Sequence, residues 1–276
     1  MITPAAGSEQ AFAYLRKVIY DASAIVLESD KRYLLEARLG PMLVREKLAS
    51  YDELVSRLQG PNAAPLRQRV VESLTTHETS FFRDLHPFEI FRKNVVPQLL
   101  LQQASSKRLN IWCGAASTGQ EPYSIAFIVK ECGLQLGGWT VQMLATDLSV
   151  DILNRARTGA FTQLEVNRGL PVPLLVKFFE KVGLEWRVKE DVRRMIDFRQ
   201  LNLVEAWPTM PTMDVVFLRN VLIYFDVPTK KRIFEKLSQV IRPGGYLFLG
   251  GVETTLNLTS NFQQVQFGKS ACYQRL

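Results

Sequence analysis

The sequence predicts an α/β protein: a mainly parallel sheet with a small antiparallel insertion, preceded by a small all-helical domain. Three observations carry this. From Leu109 onward short apolar runs alternate with helical patterns, as in parallel sheets with crossover helices, whereas residues 9–60 show only the helical period. The first apolar run, Leu109–Cys113, opens into the bare loop Gly114-Ala-Ala-Ser-Thr-Gly119 and then a helix start. At 276 residues and 47% hydrophobic, the chain can bury a full core and form two domains. We expect a helical domain over 1–76, a linker and helix closing a ligand site over 77–108, and a sheet domain over 109–276 with a β-subdomain near 160–200.

Composition narrows the function classes. There is no apolar run of roughly 18 residues, and Met1–Gln10 lacks a basic-then-apolar leader, which predicts a cytoplasmic chain without membrane insertion. Three cysteines, Cys113, Cys132 and Cys272, are odd in number and lack close ligand spacing, so neither a disulfide framework nor a metal site is expected. The net charge of +7 raises nucleic acid as a partner, but residues 1–60 carry eight Lys/Arg against eight Asp/Glu. A mildly basic surface meeting an acidic protein is an equally good reading.

Taken in order, the helical part starts with apolar spacing at Phe12, Leu15, Val18 and Ile19, then at Leu34, Leu35, Leu39, Leu43 and Val44. Gly40-Pro41 predicts a kink or break in the second pattern. Lys31, Arg38 and Arg45 recur every seven residues, either as a solvated face or as a basic stripe for a partner. Ser50 and Glu53 form a candidate capping box for a third helix, which Gly60-Pro61 closes. A fourth helix over 66–76 runs into the polar–aromatic segment Thr75–Asp84. There Phe81 and Phe82 either staple a loop or hold Thr79 and Arg83 toward a ligand. Residues 86–103 read as helical, with Pro87 at an early position.

The first strand and its loop place a ligand against backbone at a helix start, with Pro122 in the first turn and Glu121 supplying a carboxylate. The strict G-x-G-x-x-G register fails, and no Lys or Arg lies between Arg108 and Lys130. Such a loop suits a cofactor with a positive centre and no phosphates, such as S-adenosylmethionine. A second strand, Thr140–Thr146, ends at Asp147, which either accepts from ribose hydroxyls or caps the helix over 149–157. Residues 160–200 break the alternation: a helical stretch Leu174–Lys181, then a hairpin over 183–189 whose edge strands could recruit a partner. Met195–Leu203 returns as a strand. Met213–Leu218 is a buried strand with Asn220 at its carboxyl end. The helix Thr229–Ile241, the strand Tyr246–Leu249 and a final strand Phe267–Arg275 complete the sheet.

Several of these pieces occur together and in order in one family. Thr75–Asp84 (TTHETSFFRD), Ala115–Ser124 (AASTGQEPYS), Ala145–Asp147, Asn202-Leu203, Arg219–Asp226 (RNVLIYFD) and Arg242–Gly245 (RPGG) resemble the CheR chemotaxis receptor methyltransferases over nearly the whole chain. The resemblance implies a Rossmann-like S-adenosylmethionine-dependent methyltransferase sheet with a small antiparallel insertion, behind a helical N-terminal domain. It implies methyl transfer to glutamates of chemoreceptor cytoplasmic helices, giving methyl esters and S-adenosyl-L-homocysteine. Carried over by motif, the cofactor contacts are His77, Thr79, Arg83, Glu121, Asp147, Asn202, Leu203, Asn220 and Val221, with Arg83 and Tyr224 nearest the chemistry and no metal.

Two positions depart from the family pattern: His77 stands where Asn is common, and Gly250-Gly251-Val252-Glu253 replaces Gly-His-Ser-Glu. They keep a non-enzymatic cofactor-binding adaptor as an alternative. A nucleic-acid methyltransferase is a further one, although its usual [DN]-P-P-[YF] loop reads Asn220-Val-Leu-Ile-Tyr224 here. The short turn Lys181–Trp186, with one glycine, predicts independence from a C-terminal receptor pentapeptide, leaving the basic residues Lys31, Arg38 and Arg45 to meet the receptor. An enzyme of this kind is expected at receptor arrays.

Overall fold

The computed structural model describes residues 7–76, 78–133, 137–268 and 270–276. They form two compact units. One holds the described residues up to Thr76 together with Tyr224–Thr229; the other holds the rest.

The first unit is helical: Glu9–Ser23, Arg32–Arg45, Tyr51–Gln59 and Ala64–Leu74. Ser8 caps the first helix by accepting from the Ala11 amide, and Ala24, in the left-handed region at φ 53°, ends it. Ser50 accepts from Glu53 at 3.2 Å, and Glu53 reaches back to the Ala49 amide at 2.8 Å, one residue short of a closed capping box. Of the kink or break expected at Gly40-Pro41, the break does not occur; the helix Arg32–Arg45 runs through Pro41. Its face Leu35, Leu39, Met42 and Leu43 is buried, and that packing outweighs one missing backbone hydrogen bond. Val44 falls off that face and is 56% exposed. Phe225 bridges Ile25, and the Val26 amide donates to the Tyr224 carbonyl at 3.0 Å.

The second unit is built on a seven-stranded sheet. Its strands, with those of a smaller sheet, are β1 (Arg108–Gly114), β2 (Thr140–Asp147), β3 (Ala160–Phe161), β4 (Phe179–Val182), β5 (Glu185–Val188), β6 (Ile196–Gln200), β7 (Met213–Leu218), β8 (Ile241–Phe248), β9 (Phe262–Phe267) and β10 (Ser270–Arg275). The large sheet runs β6-β2-β1-β7-β8-β10-β9, and its first five strands are parallel. β10 pairs antiparallel with β8 and β9. The order doubles back at β1, so β1 and β7 leave a topological switch point between them. The small sheet, β3-β5-β4, is antiparallel and is the expected insertion.

Several details differ from expectation; Ile241, read as the end of a helix, opens β8, and the strand read over Met195–Leu203 stops at Gln200. Phe179–Lys181, read as the end of a helix, is strand; the helix stops at Phe178 and Phe179 turns its ring into the core. The final strand is the second arm of a hairpin, since Phe262–Phe267 pairs with Ser270–Arg275. Residues 86–103 form a helix interrupted by a π turn over Phe91–Val95, where the Val96 amide reaches the Phe91 carbonyl. The wider turn accommodates Pro97, which has no amide hydrogen and would crowd an α turn.

Aromatic rings fill the core on either side of the sheet. Phe217 and Phe248 stack at 4.4 Å, while Phe81 meets Phe161 at 4.9 Å and Phe179 at 5.8 Å. At the amino end of β7, buried Asp214 accepts from Arg242 at 2.7 Å, Gln103 at 2.9 Å and the Asn110 amide at 2.8 Å. That end is closed by structure, and the opposite edge carries the polar residues singled out above.

Candidate functional site

The loop after β1 is built from alternating left-handed residues: Ala115 at φ 54°, Ser117 at 51° and Gly119 at 98°. Such alternation turns backbone amides inward as an anion-binding nest. Here the anion is the protein's own. Asp147, at the end of β2 and nearly buried, accepts from the Ser117 amide through Oδ2 at 2.9 Å and from the Ser149 amide through Oδ1 at 3.0 Å. Its backbone carbonyl takes the Leu201 amide at 3.0 Å. Asp147 therefore ties three strand ends together; of its two alternative roles, capping of the next helix falls instead to Ser149, whose side chain accepts from the Ile152 amide. Each carboxylate oxygen keeps a further lone pair for a hydroxyl donor.

The loop glycines answer to packing. A Cβ on Gly114 would lie 2.7 Å from Leu218, and one on Gly119 would lie 3.1 Å from Tyr123. Cys113, whose thiol burial pushes well above its ordinary range with Glu121 adding to the shift, lies 3.2 Å from Glu121 Oε1.

Glu121 turns its other oxygen to Arg219, at 2.6 Å from Nη1. Arg219, the residue after β7, was not among the expected site residues, yet its guanidinium links three residues there. Its Nη2 donates to the Arg83 carbonyl at 3.0 Å and to Asp84 Oδ2 at 2.7 Å. Arg83 itself donates through Nη1 to the Glu78 carbonyl at 2.8 Å. Thr79 lines a cleft of about 450 Å³ together with Glu78, Thr118, Gln120, Arg155 and Arg168.

Glu253 was also missed. It accepts the amides of Asn220 at 2.8 Å, Val221 at 2.9 Å, Leu222 at 2.7 Å and Gly250 at 2.6 Å. It holds Asn220 in the left-handed region at φ 57°, beside a Gly250 whose Cβ would sit 2.7 Å from the Asn220 side chain. At the end of β6, Asn202 Oδ1 accepts from the Val204 amide at 3.2 Å, and Leu203 is buried. Tyr224 belongs to the first unit, and His77 lies outside the described residues.

The parallel strands thus gather Glu121, Asp147, Asn202, Leu203, Asn220 and Val221 at one edge, and Arg219 ties Arg83 to it. The polar side chains there are two acceptor carboxylates and two amides, and the guanidinium of Arg219 is spent on acids. That chemistry suits a ligand with hydroxyl and amine donors and no phosphate.

Comparison with known proteins agrees. Residues 77–271 match the CheR methyltransferase SAM binding domain, and residues 10–75 match the CheR methyltransferase all-alpha domain. The chemotaxis protein methyltransferase Cher2 of Pseudomonas putida is 37% identical over 95% of this chain and 97% of its own length. Chemotaxis protein methyltransferase 1 of Pseudomonas aeruginosa is 38% identical over 95% and 97%, and a Vibrio parahaemolyticus chemotaxis protein methyltransferase is 34% identical over 97% and 97%. With motif order, sheet topology and full-length similarity in accord, this chain belongs to the CheR methyltransferase family.

Proposed function

We propose that this chain transfers a methyl group from S-adenosylmethionine to glutamate side chains of chemoreceptor cytoplasmic helices. The observation that carries the reading is the buried Asp147 carboxylate, fixed by two backbone amides at the end of β2. It offers acceptors for sugar hydroxyls. Asn202 and Leu203 would flank the base, and Asn220 and Val221, fixed by Glu253, would line the cofactor's other wall. When bound, S-adenosylmethionine supplies an electrophilic methyl group on a sulfonium.

The rest falls to positioning. A glutamate carboxylate is already ionised near neutral pH, so no strong base is needed, and in-line placement is the main requirement. Arg83 orients that carboxylate. Its anchorage to the Glu78 carbonyl limits how far it can follow the substrate and quench its nucleophilicity. The assignment of Tyr224 rests on the motif Arg219–Asp226 alone.

Recruitment follows from the same reading. Half-buried Lys31 and the exposed Arg38 and Arg45 meet acidic receptor helices, bringing the enzyme to receptor arrays. Among the described residues no helix is long and apolar enough to cross a membrane. In the small sheet Gly183 and Leu184 alone separate β4 from β5, and this two-residue turn leaves less room for an added peptide strand, which supports independence from a C-terminal receptor pentapeptide.

The deciding experiment is methyl-ester formation on a purified receptor fragment, followed as base-labile methanol. Ester formation with binding of S-adenosylhomocysteine is expected. Cofactor binding without ester would mark the chain as an adaptor, and methyl transfer to DNA or RNA alone would overturn the substrate class.

A further inference from the structure

We infer that Arg219 is a positioning residue for methyl transfer: one buried guanidinium locks the turn carrying Arg83 to Glu121 at the cofactor loop. The inference rests on the reading that Arg83 meets the substrate glutamate.

The turn is under strain. Phe82, Asp84 and Leu85 have φ of 50°, 64° and 42°, and none is glycine. Non-glycine residues stay in that region only where their surroundings over-determine it. Three contacts do so here. Ser124 Oγ accepts the Phe82 amide at 3.0 Å, the Phe81 carbonyl fits over Gly169, and Arg219 takes the Arg83 carbonyl with the Asp84 carboxylate. Of the three, Arg219 grips the backbone of Arg83 itself.

Stability does not account for the arrangement. The Arg219 side chain is 1% exposed, and its Nε is buried with no hydrogen-bond partner among the described residues. Burying a guanidinium to pair with a half-exposed Asp84 and with Glu121 gains little over apolar packing, and an orphaned donor adds a cost. What the arrangement yields is geometry. The planar fork spans Glu121 on one nitrogen and Arg83 with Asp84 on the other, so the height of Arg83 above the sheet edge is set by the residue beside the cofactor loop. A lysine, with one point-like ammonium, cannot bridge both.

The test compares Arg219→Lys, Asp84→Asn and their double variant in the full-length protein, with Arg83→Ala as reference. Each is assayed for kcat and KM on a receptor fragment and for S-adenosylhomocysteine binding by calorimetry. We expect Arg219→Lys to bind with wild-type stoichiometry and an affinity within about threefold, while kcat per binding site falls roughly tenfold to a hundredfold. Asp84→Asn, at an exposed position, lowers kcat several-fold. The double variant falls no further than Arg219→Lys, because both act through one contact. A purely structural role would instead reduce binding stoichiometry and activity together, leaving kcat per site unchanged, and would overturn the inference. Should Arg219→Lys not fold, an Asp84→Asn enzyme with wild-type kcat overturns it equally. Wild-type kcat in Arg83→Ala would remove the underlying reading, and the inference with it. A loss in Arg83→Ala with none in Arg219→Lys or Asp84→Asn sinks the inference alone.

Discussion

The Asp147 carboxylate accepts the Ser117 amide at 2.9 Å, so a residue on β2 fixes the loop that follows β1. Replacing it with Asn keeps the shape but turns one acceptor into a donor facing an amide. A charge-assisted hydrogen bond is worth about 1.5–3 kcal/mol, so Asp147→Asn should weaken S-adenosylhomocysteine binding roughly tenfold to a hundredfold. Calorimetry showing unchanged affinity would remove Asp147 from the cofactor site.

Gly169 and Gly138 both lie at positive φ, 88° and 78°, but differ in surroundings. A Cβ at Gly169 would stand 2.1 Å from the Phe81 carbonyl, and one at Gly138 would meet nothing among the described residues within 4 Å. Gly138→Ala should cost only about 1 kcal/mol of backbone strain. Gly169→Ala must also push the Phe81–Asp84 turn, and a loss of roughly 3 kcal/mol or more with reduced methyl transfer is expected. Equal melting temperatures for the two variants would show that the Phe81 turn yields freely.

Stability should fall on the alkaline side. Burial raises the Cys272 thiol from its ordinary 9.0 to about 12. Below pH 9 the thiol is protonated in both states and its burial stabilises fully. Between about 9 and 12 the unfolded chain loses that proton while the native chain keeps it, so stability declines by up to about 1.4 kcal/mol per pH unit. Urea midpoints at pH 8 and pH 10 should therefore separate more for wild type than for Cys272→Ala. Identical separations would show that the thiol does not contribute.

The basic stripe makes a salt-dependent prediction. Lys31 pairs with Glu28 at 2.9 Å, and exposed Arg45 meets half-buried Glu46 at only 3.6 Å, weak pairs easily exchanged for a partner's acids. Lys31→Glu/Arg38→Glu/Arg45→Glu should raise the receptor KM several-fold at low salt, with kcat and cofactor binding unchanged. The difference should shrink as ionic strength passes about 0.15 M. Unaltered KM at low salt would return the stripe to ordinary solvated surface.

The sequence made the parallel core legible because Ile111–Cys113 and Val215–Leu218 are continuous apolar runs, which central parallel strands require. Asp147 was visible for the same reason, as the first charge after such a run. Strand β9 was hidden because Gln263, Gln264 and Gln266 face solvent at a sheet edge and show no apolar period long enough to read. The helix end at Phe178 was blurred because Phe179 continues the apolar pattern while changing its backbone. Arg219 and Glu253 were missed for a deeper reason. Both act on groups remote in the chain, Arg219 on Glu121 98 residues earlier and Glu253 on amides 31 to 33 residues earlier, and spacing within a motif cannot display that.

The clamp by Glu253 also sets an order of assembly during synthesis. Asp147 and the loop after β1 leave the ribosome more than a hundred residues before Glu253. Until that carboxylate arrives, the amides of Asn220, Val221 and Leu222 have no partner there, and nothing holds Asn220 left-handed. A nascent chain arrested just short of Glu253 should thus carry a folded β2 and still fail to retain S-adenosylhomocysteine, while one extended past β10 should retain it. On the proposed site, cofactor retention is expected only once Glu253 has been synthesised.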